Sequence, residues 1–115
     1  MRTLESLSTL DESDRAVLRE LKECIRGFLP FSTVLLYGSA ARGTRDAESD
    51  LDVLVLTEAP LTAEVARAVT DAVYDLELSR GAVISTLFYS VDEWNAPLVR
   101  GTPFRARLEA EAVLL

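Results

Sequence analysis

Two apolar runs constrain this chain most: Val34-Leu35-Leu36-Tyr37 and Val53-Leu54-Val55-Leu56, in which no polar residue alternates with the apolar ones. Strands of that kind are covered on both faces, so the sequence calls for packing elements on either side of a sheet. The flanks supply them. After Thr9-Leu10-Asp11-Glu12, which fits a capping box, Val17, Leu18, Leu21, Cys24, Ile25, Phe28 and Leu29 recur at helical spacing. They predict a helix over 10–28 that Gly27 and Pro30 end, with Arg15, Arg19, Glu20, Lys22 and Glu23 mostly on a solvated face. Thr62 as a cap, the period through Val65, Ala68, Val69, Ala72, Val73 and Leu76, and the stop at Gly81 predict a second helix lying on the sheet. Residues 33–37, 51–56 and 82–89 read as three strands, and the helical crossover favours a parallel pairing of the last two. Ser90-Val91-Asp92-Glu93 is a second capping box, opening a short helix with Trp94, and Thr102-Pro103 sets the cap and first turn of another. The expected architecture is a small α/β domain over residues 1–115, without repeats or linkers.

Composition narrows the chemistry. A chain of 115 residues, 49% hydrophobic, suits one core. Twelve Lys plus Arg against 19 Asp plus Glu leave a formal charge of -7, which argues against general nucleic-acid binding. With no histidine, the chain has no imidazole base and no His-ligated zinc site, so carboxylates, hydroxyls and arginines must do any work. A single cysteine, Cys24, among helix-core positions reads as a structural thiol in a reducing compartment. The N-terminus has no apolar signal segment and no run reaches a membrane-spanning length, so the expected location is cytoplasmic.

The chemistry gathers between the two apolar runs. Asp50 and Asp52, two apart where the second run begins, project from one face with their bases roughly 6 to 7 Å apart. At that distance their repulsion is roughly 2.5 kcal/mol at an effective dielectric of about 20. Either both are well solvated, or a cation relieves them. Oxygen-only ligands that leave room for water and phosphate suit Mg²⁺, and such a pair can bridge ions that stabilise attacking and leaving oxygens in phosphoryl or nucleotidyl transfer. Gly38 lets backbone approach a ligand, and Ser39 stands where a short helix can begin, so its hydroxyl and the following N–H groups either hold a phosphate or form a plain turn with a serine cap.

Taken as a unit, Gly38-Ser39, ten residues, then Asp50-Leu51-Asp52, with Ala41-Arg42-Gly43 inside and Ser49 before the first Asp, resembles the minimal nucleotidyltransferases of the DNA polymerase β superfamily. The resemblance implies a polymerase β-like α/β (α+β) fold, a small mixed sheet with helices packed on it. It implies that Gly38 and Ser39 hold the phosphates of a nucleotide triphosphate, ATP or another, and that Asp50 and Asp52 are the catalytic residues and ligate Mg²⁺. Arg42 matches an arginine of the family's pattern; it is either a nucleotide contact or a surface ion pair with Asp46 or Glu48. Small proteins of this kind commonly act as the antitoxin beside a helical HEPN-domain protein and adenylylate a tyrosine of that partner. The expected activity is therefore transfer of AMP from ATP to a hydroxyl of a protein acceptor. The alternative is a silent module that neutralises its partner by contact.

One departure bears on that choice. Active members carry a third carboxylate on the next core strand, and the strand over 82–89 offers Ser85 and Thr86 but no acid. Glu77, near the end of the second helix, is the substitute to test. Phe88, Tyr89 and Trp94 read as core, and Arg100, Arg105 and Arg107 as a solvated helix face or a positive patch for a partner or triphosphate. The nucleotide base, the acceptor and the oligomeric state are left open.

Overall fold

In a computed structural model, residues 2–44 and 50–115 are described. A two-residue strand β1 (Arg2–Thr3) and a single 3-10 turn (Leu4–Ser6) precede α1 (Glu12–Phe28) and β2 (Thr33–Tyr37). Then follow α2 (Gly38–Arg42), β3 (Leu51–Thr57), α3 (Ala63–Arg80) and β4 (Ile84–Ser90). Three short helices, α4 (Val91–Asn95), α5 (Pro97–Arg100) and α6 (Pro103–Glu111), lead to β5 (Val113–Leu114). The sheet order is β1-β5-β2-β3-β4; β3 runs parallel to β4, as the helical crossover predicts, and antiparallel to β2, which gives the mixed sheet with packed helices that the resemblance implies.

Side chains of β2 and β3 alternate between two cores, as their unbroken apolar runs require. Val34, Leu36, Leu51, Val53 and Val55 pack with Leu18, Leu21 and Ile25 of α1 and Val69 and Val73 of α3. Leu35 and Leu54 face the other way, onto Trp94, Leu108 and Ala112 from the C-terminal helices. Asp52 lies two residues before Leu54 on β3, and so belongs to this second face.

Several expectations are corrected in detail. Helix α1 is capped not from Thr9 but by Asp11, whose Oδ1 accepts the Asp14 N–H at 2.8 Å. Arg15 is not a solvated charge: its guanidinium donates to the carbonyls of Leu4, Leu7 and Leu10, satisfying a turn whose leucines are buried. Arg105 also leaves the expected surface. It is buried, its guanidinium lies 4.5 Å from the Trp94 ring centroid, and it donates to the Trp94 carbonyl, Asn95 Oδ1 and Glu109. Strands β1 and β5 went unforeseen, being two residues each, too short to show a period. The caps at Thr62, Ser90 and Thr102 form as predicted, the second as a full capping box with Glu93. Among the described residues no helix is long and apolar enough to cross a membrane.

Candidate active site

Gly38 is where β2 turns into α2, with φ +75, a conformation that glycine adopts without a side-chain clash. A Cβ built there would run into the Asp52 carboxylate, coming within 3.2 Å of its Cγ. The turn and the acidic strand therefore leave no room for a side chain between them. The register explains it: Tyr37 pairs with Asp52 across β2 and β3, so the first residue of α2 sits beside that carboxylate. Ser39 is inside α2 while Tyr37 occupies the N-cap position without a capping side chain, which removes the reading of Ser39 as a simple cap. Helix geometry itself offers no partner to the N–H groups of Ser39 and Ala40. Arg42 is the last residue of α2, followed by Gly43 with φ +78. Ser49, Asp46 and Glu48 lie outside the described residues.

Asp50 is exposed just before β3, and Asp52 is half-buried within it. Burial, and then the charge of Asp50, hold the Asp52 carboxyl above the usual carboxylate range; Arg42 pulls it down and Glu111 pushes it up again. Burial and Asp52 push the Tyr37 phenol up to about 12, so it is neutral at physiological pH. Two carboxylates in mutual repulsion, both oxygen donors and one open to solvent, fit Mg²⁺, which binds through one or two carboxylates and completes its shell with water and phosphate. Among the described residues no cluster of three or more acidic, cysteine or histidine side chains is close enough to form a metal cage. The sheet position beside Asp52 on β4 is Ser85, so a hydroxyl stands where the resemblance expects a third carboxylate.

A third acid reaches the site from elsewhere. Glu111, at the end of α6, accepts the Gly38 N–H on Oε1 at 3.1 Å, and Arg42 Nη1 bonds both its oxygens at 3.2 and 2.9 Å. Tyr37, Gly38, Arg42, Asp52, Phe104, Arg107, Leu108 and Glu111 line one cleft of about 220 Å³. Arg107 thus joins the site, whereas Arg105 is committed to Trp94. Glu77 does not: its Oε2 accepts the Ile84 N–H at 3.0 Å, and α3 packs on the opposite face of the sheet from Asp52. Sequence reasoning missed Glu111. Its one signal was an acid in the last turn of a helix, where the dipole favours a cation, which implies a compensating partner. Tyr89, Trp94 and Phe104 pack together in the second core, Trp94 tilted against Tyr89 and edge-on to Phe104, with Tyr37 edge-on to Phe104 at 5.8 Å between centroids.

A mixed sheet with an inner strand carrying one carboxylate and preceded by another, set against a glycine turn and a helix ending in arginine, defines a domain of the nucleotidyl-transfer class. The chain belongs to the nucleotidyltransferase domain family, whose model matches residues 18–97, more than half its length. The match runs from α1 to the start of α5 and leaves α6, with Arg107 and Glu111, outside it. No curated protein matches the chain.

Proposed function

We propose that this chain is a Mg²⁺-dependent adenylyltransferase that moves AMP from ATP to a hydroxyl of a protein acceptor, and that it serves as the antitoxin of a pair with a HEPN-domain protein. The observation that carries the reading is the contact of Gly38 with the Asp52 carboxylate, which joins a phosphate-type turn to a metal-type acid in one cleft.

In that reading the Ser39 hydroxyl and the N–H groups at the start of α2 donate to the phosphate oxygens, and Arg42 adds a fixed positive charge at their flank. Asp50 and Asp52 hold Mg²⁺, which when bound neutralises charge on the triphosphate and on the attacking oxygen. The protein's share is then to align the acceptor hydroxyl with the α-phosphate and to hold donors where negative charge grows as pyrophosphate leaves.

A second reading has its own observation. Ser85, neutral and beside Asp52, supports a domain that keeps the nucleotide pocket but neutralises its partner by contact alone. Incubating the co-purified pair with Mg²⁺ and ATP labelled in the α-phosphate separates the two. Label on the partner, lost in Asp50→Asn and Asp52→Asn, supports the enzyme; an unlabelled partner that still binds all three proteins supports the module.

A further inference from the structure

Glu111 lies beyond the residues matched to the family, yet it touches two parts of the proposed nucleotide site at once. We propose that Glu111 is a positioning residue for nucleotide binding: its carboxylate, held between the Gly38 N–H and the Arg42 guanidinium, fixes the turn and aims the arginine before the triphosphate arrives. This role rests on the nucleotide reading given above.

The carboxylate is built into the fold. Its side chain is only 12% exposed, against 47% for Arg42, so the acid is the fixed member of the pair. Its own backbone is anchored as well: the Glu111 carbonyl accepts Arg2 Nη2 at 2.6 Å, and the chain continues into β5, which pairs with β2 through Leu36 and Val113. Both bonds of the ion pair use the same guanidinium nitrogen, Nη1, which leaves the fork geometry of the other edge for an anion. An arginine held this way loses less rotamer freedom when phosphate binds. Glu111 also supplies the capping acceptor that Tyr37 does not, so it holds the first N–H of α2 where the glycine conformation puts it.

A merely competing carboxylate, occupying the anion's place, makes the opposite prediction, since its removal would free Arg42 and tighten binding. Titrating ATP with Mg²⁺ into the wild type, Glu111→Gln, Glu111→Ala, Arg42→Ala and the Glu111→Ala/Arg42→Ala double variant, by calorimetry, decides between them. Thermal stability without nucleotide is recorded alongside. Positioning predicts a Kd raised about tenfold by Glu111→Ala and about threefold by Glu111→Gln, whose amide oxygen keeps the Gly38 bond. It also predicts that Glu111→Ala, which still frees the Gly38 N–H, costs only about threefold once Arg42 is gone. An unchanged or tighter Kd in the folded Glu111→Gln protein, or losses from the two sites that simply multiply, overturns the role while leaving the nucleotide site intact. A wild-type protein that binds no nucleotide overturns the site itself, and the positioning role with it.

Discussion

The Asp52 carboxylate fills the space that a side chain on Gly38 would need. Two residues fourteen apart in sequence are packed against each other at the junction of β2, α2 and β3, and no larger residue at position 38 keeps both the turn and the acid in place. Gly38→Ala is therefore expected to cost about 1–3 kcal/mol from the positive φ alone and to push Asp52 out of line. Urea denaturation measures the first effect. Loss of the nucleotide-induced thermal shift measures the second.

Asp52 gives a pH signature. Its folded carboxyl titrates above its unfolded value, so the folded state binds the extra proton and stability falls as pH rises through that window. The penalty is fully present above the folded pKa and absent below the unfolded one. Asp52→Asn, studied with a chelator present, should melt higher than wild type at neutral pH, and the advantage should vanish on acidification below the ordinary aspartate range. Added Mg²⁺ should raise the wild-type melting temperature and narrow the gap.

Arg105 is a structural residue. Removing it strands the Trp94 carbonyl and uncovers the indole face, so Arg105→Ala should cost about 2–4 kcal/mol. Arg105→Lys should recover little of it, because an ammonium cannot reproduce the fork that reaches Trp94, Asn95 and Glu109. Chemical denaturation of the three proteins checks both statements.

Glu77 should prove dispensable for transfer. It accepts the first N–H of β4 from the far side of the sheet, so Glu77→Ala should lose about 1 kcal/mol of stability and retain AMP transfer to a partner within a factor of about two. A transfer rate reduced a hundredfold at unchanged folding would instead make Glu77 the missing third acid.

What could be read from the sequence was what short-range rules govern. The two apolar runs demanded a sheet covered on both faces, and Leu35 and Leu36 do point into different cores. Thr62, Ser90 and Thr102 announced helix starts because their side chains reach amides three residues on. Glu111 and Gly38 are 73 positions apart, and no local pattern encodes their meeting. Arg15 and Arg105 hid for a related reason: helical spacing shows which face a residue occupies, but not that a carbonyl or an indole waits there to receive a guanidinium. The acid that faces the turn arrives on the last helix, far in sequence from both the turn and the aspartates.

Calorimetric titration of ATP into the wild type and Asp52→Asn, with and without Mg²⁺, asks whether Gly38, Ser39, Asp50 and Asp52 form the single Mg²⁺–nucleotide site proposed above. A single site gives saturable binding by the wild type that requires Mg²⁺ and weakens at least tenfold in Asp52→Asn. Equal affinity of the two proteins, or wild-type binding indifferent to Mg²⁺, would contradict it.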